Sequence, residues 1–319
     1  MKKGKILYVV VPCYNEEEVL HETTKRLKEK LESLIKENII SKESRVMYVN
    51  DGSKDKTWEL IEEISKEEKL FTGISLSRNR GHQNALLGGL MTAKNYADVI
   101  ISMDADLQDD INAIDAMLEK YYDGCEIVYG VRSARKTDTW FKKTTAEGFY
   151  KFMKLMGVDI VYNHADYRLA SKNVLDKLES FGEVNLFLRG MFPLVGYKTD
   201  IVYYERAERF AGESKYPLKK MLNFAWDGIT SFSVKPIRFI LSFGIVMSIL
   251  SFISTVVFII LNLVNIGTLS IGSIISIMCL LTGIQITCIG IVGEYVGKTY
   301  SETKRRPRFI ISRNLNEEK

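Results

Sequence analysis

The sequence predicts an α/β domain with a mostly parallel sheet covered on both faces, followed by a two-helix membrane hairpin. Three observations carry this. Over the first 135 residues, short apolar runs alternate with helical stretches. Those runs are continuous rather than alternating, as suits strands buried on both faces. From Phe239 to Gly293 the chain holds no Asp, Glu, Lys or Arg, enough for two spans of about 20 residues each.

In chain order, Ile6–Val11 reads as an apolar strand and Glu16–Asn38 as a long amphipathic helix. Val46–Asn50 is a second strand, with a helix near Thr57–Glu68. Phe71–Leu76 and the helix His82–Lys94 follow, then the strand Val99–Met103 and the helix Ile111–Tyr122. Ile127–Val131 is a fifth strand. Residues 136–216 are less regular, although Lys142–Met156 suits an amphipathic surface helix. Residues 217–236 place Leu218, Met221, Leu222, Ala225, Trp226 and Ile229 at helical spacing, opposite Lys219 and Lys220. A helix of that kind before a span is expected to lie in the membrane interface.

The spans are expected at about 237–264 and 269–293, turning near Asn262, Asn265, Gly267 and Thr268. Lys235 and Arg238 precede them, and Lys298, Lys304, Arg305, Arg306, Arg308 and Arg313 follow, whereas the connecting loop is uncharged. The positive-inside rule then puts both termini in the cytoplasm and the connecting loop outside. The expected organisation is a cytoplasmic domain at 1–216, an interfacial helix at 217–236, the spans, and a basic cytoplasmic tail at 294–319. The first apolar run is too short for a secretory signal. Cys13, Cys125, Cys279 and Cys288 lack metal-ligand spacing and read as reduced. His21, His82 and His164 form no zinc motif, although the latter two fall in motif-like loops.

Strand ends carry the chemistry. Val99–Met103 runs directly into Asp104-Ala105-Asp106, then Gln108, Asp109 and Asp110. Carboxylates at the carboxyl edge of an open α/β sheet stand where such sheets bind ligands. Hard oxygens suit Mg²⁺ or Mn²⁺, which share their shells with phosphates. The same acids also suit an ordinary helix start, where the macrodipole favours them. After the first strand come Pro12, Tyr14, Asn15 and Glu16, and after the second comes Asp51 beside Gly52. A ring and carboxylates at adjacent strand ends can stack on a base and bind its polar edge, or simply form turns. There is no G-x-G-x-x-G after the first strand and no P-loop. A nucleotide diphosphate bound without either needs a metal, which returns to Asp104 and Asp106.

The ordered set VPCYNEE, VNDGSKDKT, LSRNRGHQNALLGGL, MDADLQD, VYGVR, HADYRL and ERFAGESKYPL resembles the bacterial undecaprenyl-phosphate glycosyltransferases and the related dolichol-phosphate mannose synthases. The resemblance covers the whole chain. It implies a GT-A-type fold, an inverting mechanism and Mg²⁺ or Mn²⁺. It implies transfer of a sugar, from UDP-glucose or UDP-N-acetylhexosamine, to a polyprenyl phosphate for cell-envelope glycosylation. Pro12, Tyr14, Glu16, Asp51 and Asp104 then resemble the nucleotide-sugar pocket, and Asp106 and Gln108 the metal ligands, with Asp104 a further candidate. Arg132 resembles a donor- or phosphate-contacting arginine, and Arg209 and Lys215 the basic pair closing on the diphosphate. Asp166 and Arg168 occupy the acceptor motif, with Arg168 and Arg206 facing the acceptor phosphate; Asp166 is either a base or an orienting group. Asn50 stands where aspartate is common, Arg80 where an aromatic is, and Asp110-Ile111 where prolines often follow.

Partners are accordingly a nucleotide diphosphate sugar, the lipid phosphate and the membrane. No nucleic acid is expected, and a homo-oligomer through Gly283, Gly290 and Gly293 is a further expectation. A processive polysaccharide synthase would carry a Q-x-x-R-W-type motif, which the sequence lacks. A non-catalytic lipid- or nucleotide-binding anchor would have no use for the intact acidic and basic loops.

Overall fold

The structure is a computed structural model that describes residues 4–133, 156, 164–205, 207, 226, 229–231, 233–263 and 271–317. The chain runs β1 (Leu7–Cys13), α1 (Leu20–Lys36), β2 (Arg45–Asn50), α2 (Thr57–Glu67), β3 (Phe71–Leu76) and α3 (His82–Ala93). It continues with β4 (Val99–Ser102), α4 (Ala113–Tyr122), β5 (Ile127–Arg132), β6 (His164–Ser171), α5 (Lys172–Glu179), α6 (Leu188–Leu194) and β7 (Thr199–Tyr204). Two long helices, α7 (Lys235–Leu263) and α8 (Ile271–Lys304), and the short β8 (Ile311–Asn314) complete it.

The strands form one sheet in the order β7-β5-β6-β4-β1-β2-β3-β8. β1 pairs in parallel with β2 and β4, β2 with β3, and β5 with β7. β6 runs antiparallel between β4 and β5. The expected mostly parallel sheet is therefore present, and its alternation explains the continuous apolar runs. In β1, Leu7, Val9 and Val11 enter one core and Tyr8 and Val10 the other. Both faces are covered, so no position needs to be polar.

α1 joins the first core through Leu20, Leu27, Leu31 and Leu34, one or two turns apart. Each fully buried leucine contributes about 1.5–3 kcal/mol by the area it removes from water. α3 joins the second core and comes close enough that a Cβ on Gly89 would lie 2.5 Å from Val10 Cγ1 and 2.6 Å from Val49 Cγ2. Glycine is thus what seats this helix on β1 and β2. α1 begins later than the predicted Glu16 because the preceding residues serve another loop. The Glu16 N–H donates to Thr57 Oγ1 at 2.9 Å, and the Lys54 N–H to Asn15 Oδ1 at 2.9 Å.

β8 comes from the segment read as a basic tail. It pairs antiparallel with β3, Ser75 opposite Arg313. Arg313 lies 5.7 Å from the Trp58 ring centre and ion-pairs with Glu62. The segment also loses its first part to α8, which continues past Gly293 to Lys304.

α7 and α8 occupy the uncharged interval and touch one another. Phe239, Leu241, Phe252, Ile286 and Ile289 are exposed on them. Among the described residues, no helix is long and apolar enough to cross a membrane. The expected transmembrane pair is therefore not found among the described residues; the linking residues 264–270 lie outside them. The expected helix at 142–156 falls outside them except for residue 156, and of 217–236 only 226, 229–231 and 233–236 are described.

Candidate active site

The parallel strands deliver their loops to one edge. β6 begins at that same edge because it runs antiparallel to β4, with Arg168 opposite Ser102. Ser102 Oγ donates to the Asp166 carbonyl at 2.5 Å. Asp104 at the end of β4 and Asp166 at the start of β6 thereby become neighbours. The N-terminus of α3 adds His82, whose Nε2 lies 3.6 Å from both Asp104 Oδ1 and Asp166 Oδ2. α6 adds Arg189, which donates to Asp166 through Nη2 at 3.1 Å and Nε at 3.3 Å. α3 and α6 are joined directly, the Leu188 N–H donating to Gln83 Oε1 at 2.9 Å.

These charges set one another. Burial opposes ionisation of Asp166, but Arg189, His82 and Arg168 outweigh it and hold the carboxyl well below the usual carboxylate range. Burial likewise opposes charge on His82, yet Asp166 and Asp104 carry it up to about 9. Asp104 is pushed up to about 6, first by burial, with Asp109, Asp166 and Asp106 adding repulsion against the pull of His82. A carboxylate strained this way by its own kind is relieved by a cation beside it.

Arg168 is 1 % exposed. It ion-pairs with Asp166, and its guanidinium lies 4.5 Å from the centre of the Phe192 ring. It supports Asp166 from below, whereas Arg189 approaches the same carboxylate from a side chain 32 % exposed. Burial lowers the Arg168 pKa against the opposing pull of Asp166.

The acidic loop itself divides. Asp106 Oδ1 accepts from the Gln108 N–H at 3.2 Å. Between them Leu107 is buried with φ of 57°, a left-handed conformation that costs a non-glycine residue roughly 1–2 kcal/mol and folds the loop back on itself. Asp109, read from the sequence as part of a helix start, is instead a buried counter-ion. Its Oδ1 accepts from Arg132 Nη2 at 3.2 Å and from the Tyr204 hydroxyl at 2.5 Å. Arg132 and Tyr204 are register partners on β5 and β7, and Arg132 Nε donates to Tyr204 Oη at 3.2 Å. Burial disfavours the Arg132 charge, but Asp109 and Tyr204 raise its pKa. Asp110 does sit at a helix start, accepting the Asn112 N–H at 2.9 Å.

Among the described residues, no group of three His, Cys, Asp or Glu side chains could hold a metal ion. Two carboxylates and an amide oxygen, from Asp104, Asp106 and Gln108, are a donor set that leaves positions for phosphate oxygens. This fits Mg²⁺ or Mn²⁺ better than a metal needing a complete protein cage.

Pro12 is buried opposite Val49 in the β1–β2 register, and Tyr14 and Glu16 are half-buried beyond it. Asp51, expected at a base edge, is 3 % exposed and accepts the Arg80 N–H at 2.7 Å and the Gly81 N–H at 2.9 Å. Burial raises its pKa despite these bonds. Its structural effect is to fix the start of α3, and so His82. Gly52 follows with φ of 63°, and a Cβ there would meet Asn79 N at 2.6 Å.

Arg206, Arg209 and Lys215 lie outside the described residues. The approach to them is visible, since the Ala207 N–H donates to the Gln108 carbonyl at 2.9 Å. The sequence reading missed His82, Arg189, Asp109 and Tyr204 as site residues. His82 and Asp109 fall inside quoted motifs, but Arg189 is a lone cation in the apolar run LFLRGMF.

Comparison with known proteins matches residues 8–179 to Glycosyl transferase family 2. An uncharacterized glycosyltransferase, YkoT of Bacillus subtilis (strain 168), is 51% identical over 100% of this chain and 95% of its own length. A prophage bactoprenol glucosyl transferase homolog of Escherichia coli (strain K12) is 40% identical over 96% of this chain and 98% of its own. The crystal structure of mannosyl-3-phosphoglycerate synthase from Rubrobacter xylanophilus is 13% identical, with a TM-score of 0.47, covering 70% of this chain and 71% of that one.

Proposed function

The chain belongs to glycosyl transferase family 2, and from that premise we propose that it moves a sugar, with inversion, from a nucleotide diphosphate sugar to a polyprenyl phosphate at the cytoplasmic face of a bacterial membrane. The observation that carries the reading is the meeting of the Asp104–Gln108 loop with the His82–Asp166–Arg189 cluster at one sheet edge. One half suits a diphosphate with its cation, the other an anionic acceptor. The name of the Escherichia coli relative supports a bactoprenol acceptor and a glucosyl donor, so UDP-glucose is the first donor to test, and UDP-N-acetylhexosamine the second.

Asp106 and Gln108, with Asp104, would hold Mg²⁺ or Mn²⁺, which when bound neutralises charge on the diphosphate. Arg132 is kept charged and oriented by Asp109 and Tyr204 toward the donor loop. Arg209 and Lys215 are proposed to add fixed positive charge where the leaving diphosphate develops negative charge. The nucleophile is a phosphate oxygen. A phosphate monoester has a second pKa of about 6 and is largely dianionic at pH 7, so a strong general base is unnecessary. Asp166, held well below the usual range by Arg189 and His82, is a weak base and a good orienting group. It fixes two cations, His82 and Arg189, whose charge suits the acceptor phosphate, with Arg206 completing that side.

A lipid acceptor keeps its phosphate at the membrane surface, so the enzyme must be held there. The uncharged interval Phe239–Gly293, its flanking cations and the exposed apolar side chains of α7 and α8 support a transmembrane hairpin with both termini cytoplasmic. Lys304, Arg305 and Arg306, exposed after the second helix, would add roughly 1 kcal/mol each of attraction to anionic lipid near the surface. The experiment is to incubate membranes containing the protein with undecaprenyl phosphate and labelled UDP-sugars. Label is expected in the lipid fraction from one of the two donors; label confined to water-soluble products from both would overturn the acceptor.

A further inference from the structure

The helix that leaves the apolar interval returns to the catalytic domain in its last turns, chiefly through Glu302. Glu302, in the last turn of α8, accepts the Val184 N–H at 2.8 Å and 2.9 Å on its two oxygens. It also accepts the Asn185 N–H at 2.8 Å and Asn185 Nδ2 at 2.7 Å. Asn185 Nδ2 further donates to the Lys298 carbonyl at 3.3 Å. Three N–H groups of one short loop therefore converge on one carboxylate. That loop leads directly into α6, which starts at Leu188 and presents Arg189 to Asp166.

Glu183 and Arg308 stand beside this junction. Burial pushes the Glu183 carboxyl up and Glu302 adds to it, while Arg308 opposes. A second connection runs from the same stretch of chain to α3. A Cβ on Gly88 would lie 3.3 Å from the Phe309 ring, and β8 follows on the edge of β3. The segment after the apolar helices thus reaches both elements that deliver cations to Asp166: α6 with Arg189, and α3 with His82.

We propose that Glu302 is a positioning residue for sugar transfer, seating the 184–188 loop so that Arg189 meets Asp166 and the acceptor phosphate. Through it, the helix emerging from the apolar interval sets the geometry of the acceptor half of the site. This rests on the function proposed above.

The test uses the full-length protein in detergent with undecaprenyl phosphate, and compares Glu302→Ala, Glu302→Gln, Arg189→Ala and the Glu302→Ala/Arg189→Ala double variant. Glu302→Ala is expected to lower kcat/KM for the lipid acceptor on the order of 10-fold to 10²-fold, as a displaced positioning contact does, with the KM for the nucleotide sugar unchanged. Glu302→Gln keeps an acceptor oxygen and should restore part of the loss. Because Glu302 acts through Arg189, its removal should cost little in the Arg189→Ala background. Fully additive losses would overturn the proposal, as would an equal loss of nucleotide-sugar affinity, which marks general damage to the fold. If the wild type transfers no sugar to lipid, it is the proposed function that fails rather than this role.

Discussion

Asp166 accepts from Arg189, pairs with Arg168 and faces His82. A carboxylate so well supplied with positive charge holds its neighbours in place better than it takes a proton. The two roles separate by substitution. Asp166→Asn keeps an acceptor oxygen for Arg189 and should retain more turnover than Asp166→Ala; equal loss in both would favour a base. Asp109 makes a different point. Its Oδ1 serves Arg132 and Tyr204 from a side chain with no exposure. Asp109→Ala removes the buried acceptor shared by Arg132 and Tyr204 and should cost on the order of 1–3 kcal/mol of stability, measurable by denaturant titration of the purified protein. A change well under that range would mean that Arg132 finds water instead. Strand ends showed in the sequence where the acids and the tyrosine loop would gather. They could not show that Asp109 turns inward, because its partners lie 23 and 95 residues away on β5 and β7. Arg189 was hidden for the same reason, since only the antiparallel return of β6 brings Asp166 to it.

Among the elements, the first five strands were legible as continuous apolar runs and the four helices between them as the stretches that alternate with those runs. Their ends moved where polar side chains claimed the terminal N–H groups, as Asp110 does before α4. β8 was not legible. Only one of its four residues, Ile311, is apolar, and its stability comes from pairing with β3 rather than from its own composition. Removing it would expose the β3 edge, so a chain ending at Pro307 is expected to be less stable and more prone to associate than the full chain, as thermal unfolding and light scattering would show. α3 is sensitive in another way. Gly89→Leu cannot be accommodated between Val10 and Val49 and should destabilise the protein by roughly 1–3 kcal/mol through overpacking. Tolerance of leucine there would mean that α3 can rise from the sheet without loss.

At the scale of the whole molecule, a mostly parallel sheet gathers the Asp104–Gln108 loop and the His82–Asp166–Arg189 cluster at one edge. Two long helices with exposed apolar side chains continue from the catalytic domain and rejoin it through Glu302 and β8. If those helices anchor the protein, alkaline carbonate washing of membranes should leave it in the pellet, and its release would contradict the hairpin. The most direct test of the whole account is sugar transfer to undecaprenyl phosphate by the purified full chain, stripped with a chelator and then given Mg²⁺ or Mn²⁺. Wild type should lose transfer with the metal and regain it on addition, and Asp106→Ala should show none in either state. Transfer that survives chelation, or near-normal turnover of Asp106→Ala with added Mg²⁺, would contradict it.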